Sequence, residues 1–168
     1  LPDGAWVDRV TAAARKLAAL ACENCAKAAG RTGDLSWCGG LSGILLGQSM
    51  IGKGADPSQR ALVVKALEAD GFSNDSVCHG SLGALLALRG GGFLPSAKSS
   101  QLSASVIEVI AQRGPRCGTI GAVSSPALMD GLSGIGLAAL SLCSRAPVPD
   151  VLVLHYAGHS RRAALKGA

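Results

Sequence analysis

The amino-acid sequence predicts an all-α domain built from helical hairpins. Two observations carry this prediction: amphipathic segments alternate with apolar, uncharged ones, and a G-x-x-G-apolar motif opens each of three apolar segments. The motifs begin at Gly40, Gly80 and Gly131, so successive repeats lie 40 and 51 residues apart. That spacing fits one helical hairpin per repeat, and hairpins stacked in this way form a solenoid or a closed α/α ring.

The individual helices follow from local patterns along the chain. Residues 5–29 form an amphipathic pattern, typical of a helix that covers a core. Asp56 and Pro57 supply an N-cap followed by proline at the first helical position, and Gly71 marks the end of that helix. The remaining helices are predicted over residues 40–51, 80–88, 96–112 and 127–142. Of these, only the segment 96–112 has a polar face, so the other three are expected to be buried.

Composition excludes several functional classes. The 168 residues are enough for one domain, and 48% hydrophobic with 16% charged residues excludes a disordered chain. The net charge is +5, but only 3% of residues are aromatic and no Lys/Arg run exceeds two, so nucleic-acid binding is not expected. The longest uncharged stretch, residues 35–52, contains five glycines, which argues against a transmembrane segment. Six irregularly spaced cysteines favour a reducing, cytoplasmic location.

The two ends of the chain carry weaker patterns. The first residue is leucine and no secretory pattern follows, so the sequence is expected to be part of something longer. Residues 146–168 are predicted to form an extended tail, within which residues 151–154 follow two prolines and read as a strand or an extended segment.

Three chemically reactive side chains stand directly before the repeat glycines. Cys38 precedes the first motif, and Cys78 and His79 precede the second. The N-terminus of a helix favours a thiolate over a thiol, and two thiolates with one imidazole suit zinc and leave its fourth position open. Two small buried cysteines beside a hydrogen-bonded histidine explain the same residues equally well. The spacing alone leaves both interpretations open.

Four sequence elements, in the same order, resemble those of the lanthionine synthetase cyclases. Residues 36–43, S-W-C-G-G-L-S-G, are similar to the S-W-C-x-G-x-x-G element of that family, and residues 78–83, C-H-G-S-L-G, to its C-H-G-x-x-G element. Residues 126–136, P-A-L-M-D-G-L-S-G-I-G, are similar to its P-x-L-M-x-G-L-x-G-I-G element. Residues 149–154, P-D-V-L-V-L, resemble the P-S-V-L-x-L ending of the class II, LanM-type synthetases.

The resemblance implies an α/α toroid of which residues 1–168 supply the C-terminal portion. It also implies one zinc ion held by Cys38, Cys78 and His79. The family's reaction is the addition of a peptide cysteine thiol to dehydroalanine or dehydrobutyrine, which closes a thioether ring. The partners implied are a dehydrated precursor peptide and either the upstream part of the synthetase or a second copy of the chain. Three hairpins do not close a ring, so the isolated chain is expected to self-associate, aggregate or be marginally stable.

The chain also departs from the family pattern. The upstream H-G-x-x-G element, whose histidine is implicated in acid–base work, is absent from this sequence, so no residue is assigned to protonate the enolate. Asp130 precedes the third motif; it is placed to orient a partner at the site, but an N-cap role is favoured. Two alternatives to a cyclase therefore stay open: a segment that binds zinc or peptide without turnover, and a relative that adds glutathione to dehydroamino acids.

Overall fold

The computed structural model describes residues 4–50, 54, 56–144, 148 and 152, and this part of the chain contains α-helices and no strand. The helices are α1 (Gly4–Thr32), α2 (Leu41–Met50), α3 (Pro57–Glu68), α4 (Ser81–Gly90), α5 (Ser96–Arg113) and α6 (Leu132–Cys143), with a 3-10 turn at Ile120–Ala122. The prediction of an all-α fold is confirmed, and the arrangement is consistent with part of an α/α toroid. The tail predicted at 146–168 lies outside the described residues, apart from Val148 and Leu152.

Helix α4 forms the centre of the core. Every residue from 81 to 88 is buried, and α4 contacts α2, α3, α5 and α6. Leu82, Leu85 and Leu88 are completely inaccessible to solvent. Burying one leucine side chain contributes about 1.5–3 kcal/mol relative to leaving it exposed. The predicted interior position of this apolar, uncharged segment is therefore correct.

Helices α3 and α5 lie on the outside of the core and present one apolar face to it. Asp56 caps α3 as predicted, because its carboxylate accepts a hydrogen bond of 2.8 Å from the backbone N–H of Ser58. Helix α3 ends at Glu68, and the N–H of Gly71 then donates to the carbonyl of Ala66. The residues of α5 that face the core are Leu102, Ser103, Val106 and Ile110.

Three helices differ from the sequence prediction. Helices α2 and α6 are expected to be buried, but Met50 of α2 and Leu140 of α6 are 64% and 62% exposed. Helix α6 begins at Leu132, five residues later than the predicted start, because the residues before it form a loop that folds back on the helix end. Helix α1 contacts α2, but among its side chains that the structure describes the large apolar ones stay on the surface: Trp6 is 51% exposed and Leu17 is 67% exposed. No described helix is both long enough and apolar enough to cross a membrane.

An ion-pair cluster of Asp70, Asp75, Arg113 and Arg116 fastens the loop before α4 to the end of α5. The carboxylate of Asp75 is fully buried and accepts hydrogen bonds of 2.7 and 2.8 Å from the guanidinium of Arg113. It also accepts from the backbone N–H of Arg116 and from the hydroxyl of Ser81. Burial raises the pKa of Asp75, but these hydrogen bonds and the charge of Arg113 outweigh it and hold the pKa below 3.8.

Candidate metal centre

Three copies of one loop precede α2, α4 and α6. In each copy the side-chain oxygen of the first residue accepts a hydrogen bond from the N–H two residues later, at 2.8 Å for Asp34, 3.0 Å for Asn74 and 3.2 Å for Ser125. The backbone carbonyls of the same three residues accept from the first N–H of the following helix. Short polar side chains favour such turns because they compete with helix formation. Each loop therefore folds back over the start of its helix.

The second glycine of each motif allows this loop to approach the helix. A Cβ atom at Gly43, Gly83 or Gly134 would overlap the backbone carbonyl of the residue six positions earlier. Without a side chain at these glycines, the backbone of the loop of the same repeat can approach the helix closely.

Backbone hydrogen bonds join neighbouring loops. The carbonyl of Cys78 accepts from the N–H groups of Trp37 and Cys38, at 3.1 and 3.2 Å. The N–H of Cys78 in turn donates to the carbonyl of Met129, at 2.9 Å. The cysteine positions of the first two loops, and the methionine that takes the same place in the third, are thereby held side by side.

The three predicted ligand residues come together at this junction. One sulfur from Cys38, one from Cys78 and a ring nitrogen of His79 all lie within 4.8 Å of one another, and we call these residues the sulfur cluster. The Sγ atom of Cys38 is 4.0 Å from Nδ1 of His79. Cys38 is exposed and the other two are half-buried, so the cluster is accessible from solvent. The structure therefore brings together residues that are 41 positions apart in the sequence.

The second ring nitrogen of His79 faces a different part of the chain. Nε2 donates to the carbonyl of Gly118 at 3.1 Å and lies 3.6 Å from a carboxylate oxygen of Asp130. The N-cap of α6 is Gly131, with no side-chain capping bond, so the N-cap role favoured for Asp130 is wrong. The loop places Asp130 just outside α6 and next to His79. Sequence reasoning did not single out Gly118, because an unremarkable glycine in a loop carries no local pattern that points to His79.

The surroundings in the sulfur cluster shift the pKa values of the two thiols in opposite directions. Partial burial raises the pKa of the Cys38 thiol, but hydrogen bonds from Cys78, His79 and Ser36 outweigh it, so that pKa lies below 9.0. Partial burial, the hydrogen bond to Cys38 and the negative charges of Cys38 and Asp130 raise the pKa of Cys78 to about 12. In the absence of a cation, Cys38 is therefore the first of the two sulfurs to ionise.

The pKa of the histidine is also shifted, and its direction is upward, as for Cys78. The hydrogen bond to the Gly118 carbonyl raises the pKa of His79 above 6.5, partial burial opposes that rise, and the negative charges of Cys38 and Asp130 add to it. The cluster therefore collects negative charge on sulfur that a cation can neutralise.

The donor set fits a zinc ion. Two sulfurs and one imidazole nitrogen are ligands that zinc prefers, and three protein ligands leave one position for a substrate. A histidine that binds zinc through one nitrogen normally donates the other N–H to a carbonyl or carboxylate, as His79 does to Gly118. The four cysteines whose side chains are described, Cys38, Cys78, Cys117 and Cys143, are all free thiols, so neither sulfur of the cluster is lost to a disulfide among them.

Comparison with known protein families agrees with this geometry. The family model described as lanthionine synthetase C-like protein matches residues 3–153. The chain belongs to the lanthionine synthetase C-like family. The matched range includes all three repeat loops and every helix of this family member that the structure describes. No curated protein and no solved structure matches the chain.

Proposed function

We propose that this lanthionine synthetase C-like chain carries the zinc site of a cyclase that forms lanthionine and methyllanthionine thioether rings. The observation that carries the proposal is the convergence of two sulfurs and one imidazole nitrogen within 4.8 Å, on loops joined by backbone hydrogen bonds. Zinc bound there would supply the positive charge that keeps a substrate cysteine sulfur deprotonated for attack.

The chain's own residues prepare the site for such a substrate. Cys38 and Cys78 place two sulfurs at a solvent-accessible junction, so a peptide can reach it from outside. His79 presents Nδ1 to Cys38 because its other nitrogen is held by Gly118. The substrates proposed are the dehydroalanine or dehydrobutyrine residues of a dehydrated precursor peptide. In the reaction the peptide thiol loses its proton and its sulfur bonds to the β-carbon, the double bond between the α- and β-carbons becomes a single bond, and the α-carbon gains a proton.

Metal content is the first test. The purified chain is expected to hold one zinc ion, measured by mass spectrometry of the metal. Cys38→Ala and Cys78→Ala should each lose it, because each removes one of three ligands. Cys143→Ala is the matched control, since Cys143 is an exposed thiol at the end of α6 outside the sulfur cluster. Zinc retained in either cluster variant would remove that residue from the ligand set.

Cyclisation is the second test. A dehydrated peptide with free cysteines is incubated with the chain, and the remaining thiols are counted by alkylation and mass spectrometry. Thiols should disappear faster than without protein, and Cys38→Ala should remove that acceleration. Zinc bound without acceleration would indicate a binding segment. Consumption of added glutathione in place of the peptide thiol would indicate the glutathione-adding relative.

We also propose that the chain supplies the C-terminal portion of a ring, covered by the upstream part of a synthetase or by a second copy. Exposed apolar side chains support this: Ile120 is 99% exposed, Leu17 67% and Leu140 62%. Sedimentation velocity of the isolated chain should show self-association or aggregation. A monodisperse monomer that melts cooperatively would contradict the proposal.

A further inference from the structure

The imidazole of His79 is held from behind by two residues that are not themselves candidate ligands. Gly118 lies in the connection between α5 and α6, and Asp130 lies in the third repeat loop. We propose that Gly118 and Asp130 form a positioning clamp, which fixes the tautomer and the orientation of His79 for metal binding. The inference rests on the proposed metal centre and assigns a role to the third repeat, which contributes no sulfur or imidazole ligand to the cluster.

The carbonyl of Gly118 determines which nitrogen carries the proton. A carbonyl oxygen can only accept, so at 3.1 Å from Nε2 it requires the hydrogen to be on Nε2. The neutral ring then has its lone pair on Nδ1, the nitrogen 4.0 Å from the sulfur of Cys38. Metal binding needs that free lone pair, and so the hydrogen bond to Gly118 selects the tautomer that can bind.

The position of Gly118 is itself fixed by its neighbours. Its N–H donates to the backbone carbonyl of Asp130 at 2.7 Å, so both polar backbone groups of Gly118 are engaged at the site. A Cβ atom at this position would lie 2.7 Å from the hydroxyl oxygen of Ser76 and 2.9 Å from Nε2 of His79. Only glycine therefore brings the carbonyl this close to the ring without displacing it.

Asp130 adds a negative charge behind the same nitrogen. Its Oδ1 atom is buried and has no hydrogen-bond partner among the described residues, yet it lies 3.6 Å from Nε2 of His79. A buried carboxylate oxygen without a donor is costly unless a positive or polar hydrogen faces it. The Nε2–H group, which donates to the carbonyl of Gly118, also faces this oxygen, so at 3.6 Å the attraction of Asp130 for the ring is electrostatic. A carboxylate in this place makes the imidazole a stronger metal ligand.

Zinc affinity tests the clamp in the full chain. Gly118→Ala and Asp130→Asn are titrated with Zn²⁺ in competition with a chromophoric chelator, and each is expected to bind about 10–100-fold more weakly than the original sequence. Gly136→Ala is the matched control for the glycine, because a Cβ atom there meets no other atom within 4 Å. Glu108→Gln is the control for the charge, because Glu108 is exposed and contacts Gln112 on α5. Both controls should leave zinc affinity unchanged.

A second measurement needs no metal. The chain has three histidines, so ¹⁵N-histidine spectra at alkaline pH, assigned with His79→Gln, report which ring nitrogen is protonated. His79 should show one tautomer, with the proton on Nε2, and Gly118→Ala should show a mixture. Melting curves identify any variant that has lost its fold, and Asp130→Asn tests the clamp if Gly118→Ala does not fold.

The outcomes separate the clamp from the metal centre. If the original chain binds zinc and both variants bind it equally well, the clamp is overturned and the metal centre stands. If the original chain binds no zinc, the metal centre fails, and the metal-free spectrum then decides the clamp alone. A mixture of tautomers in the original chain overturns the clamp in either case.

Discussion

The loop that precedes α4 contributes residues to two polar groups of opposite character, Asp75 to the ion-pair cluster and Cys78 with His79 to the sulfur cluster. In the ion-pair cluster, Asp75 is fully buried and its two oxygens accept hydrogen bonds of 2.7 to 3.0 Å. In the sulfur cluster, Cys38 is exposed, and its sulfur lies 3.8 Å from the hydroxyl of Ser36 and 4.0 Å from His79. The first group is saturated by the protein itself, whereas the second keeps binding capacity for a ligand. The comparison assigns the first group to the fold and the second to function.

The largest difference between the groups should appear when one partner is removed. Asp75→Ala removes one of the two carboxylates that pair with Arg113 and leaves the Ser81 hydroxyl and the Arg116 N–H without their buried acceptor. It is expected to lower the free energy of unfolding by about 3–5 kcal/mol, measured in urea. Asp70→Ala is the matched control in the same cluster, because the side chain of Asp70 is 38% exposed. It should cost no more than about 1 kcal/mol. Equal losses in the two variants would remove the distinction between buried and surface partners.

Zinc binding should make the sulfur cluster contribute to the stability of the folded chain. At free zinc about 100 times the Kd, the original chain should gain about 2.7 kcal/mol of stability, because the ion binds the folded state. Cys78→Ala should gain nothing, and without zinc its stability should stay within about 1 kcal/mol of the original. Thermal melts with zinc and with a chelator measure both quantities. A large loss in the metal-free variant would place Cys78 among the residues that hold the fold.

Acid should weaken the contribution of the ion-pair cluster to the stability of the fold. The pKa of Asp75 in the folded state lies below its ordinary value of 3.8, so the folded protein binds this proton less readily than the unfolded chain. The stabilisation is therefore complete above pH 3.8 and is lost as the pH falls through the lower, folded-state pKa. Urea unfolding over this range should show a steeper loss in the original chain than in Asp75→Ala. Parallel curves would show that Asp75 does not contribute.

The smallest expected effect is a difference in alkylation rate between the two thiols of the sulfur cluster. Cys38, whose pKa lies below 9.0, should react with iodoacetamide before Cys78, whose pKa is about 12. Peptide mapping by mass spectrometry measures both rates, and Cys143 is the exposed reference thiol. Zinc should protect the two cluster thiols and leave Cys143 reactive. Faster alkylation of Cys78 would contradict the order of ionisation.

The sequence predicts features whose causes are local. Asp56 and Pro57 define the start of α3 because a cap and its helix are adjacent in the chain. The second glycine of each motif also has a local cause, because the carbonyl that a Cβ atom would overlap is only six residues earlier. The start of α6 was missed by five residues, since the apolar pattern continues through a loop whose shape depends on hydrogen bonds of Ser125.

The candidate site was predictable only in part, for a related reason. Cys38 and Cys78 each stand two residues before the first glycine of their motif, and His79 follows Cys78 directly, so a repeat predicts that they meet. Gly118 stands in no repeat and is 39 residues from His79, and its role depends on how the chain returns from α5. Asp130 directly precedes the first glycine of its motif, as His79 does. The direction of its side chain depends on the fold of the loop, which the helix pattern does not predict.

The carbonyl of Cys78 accepts hydrogen bonds from two N–H groups of the first loop. This pairing affects how the side-chain ligands of the centre can be exchanged. The spacing between the loops is fixed by main-chain N–H and C=O groups, which every amino acid except proline possesses. Exchanging a sulfur for an oxygen or nitrogen side chain would therefore alter the preferred cation while the frame keeps its dimensions. Such a scaffold separates the architecture of a coordination site from its chemical selectivity, and a designer can vary the second without rebuilding the first.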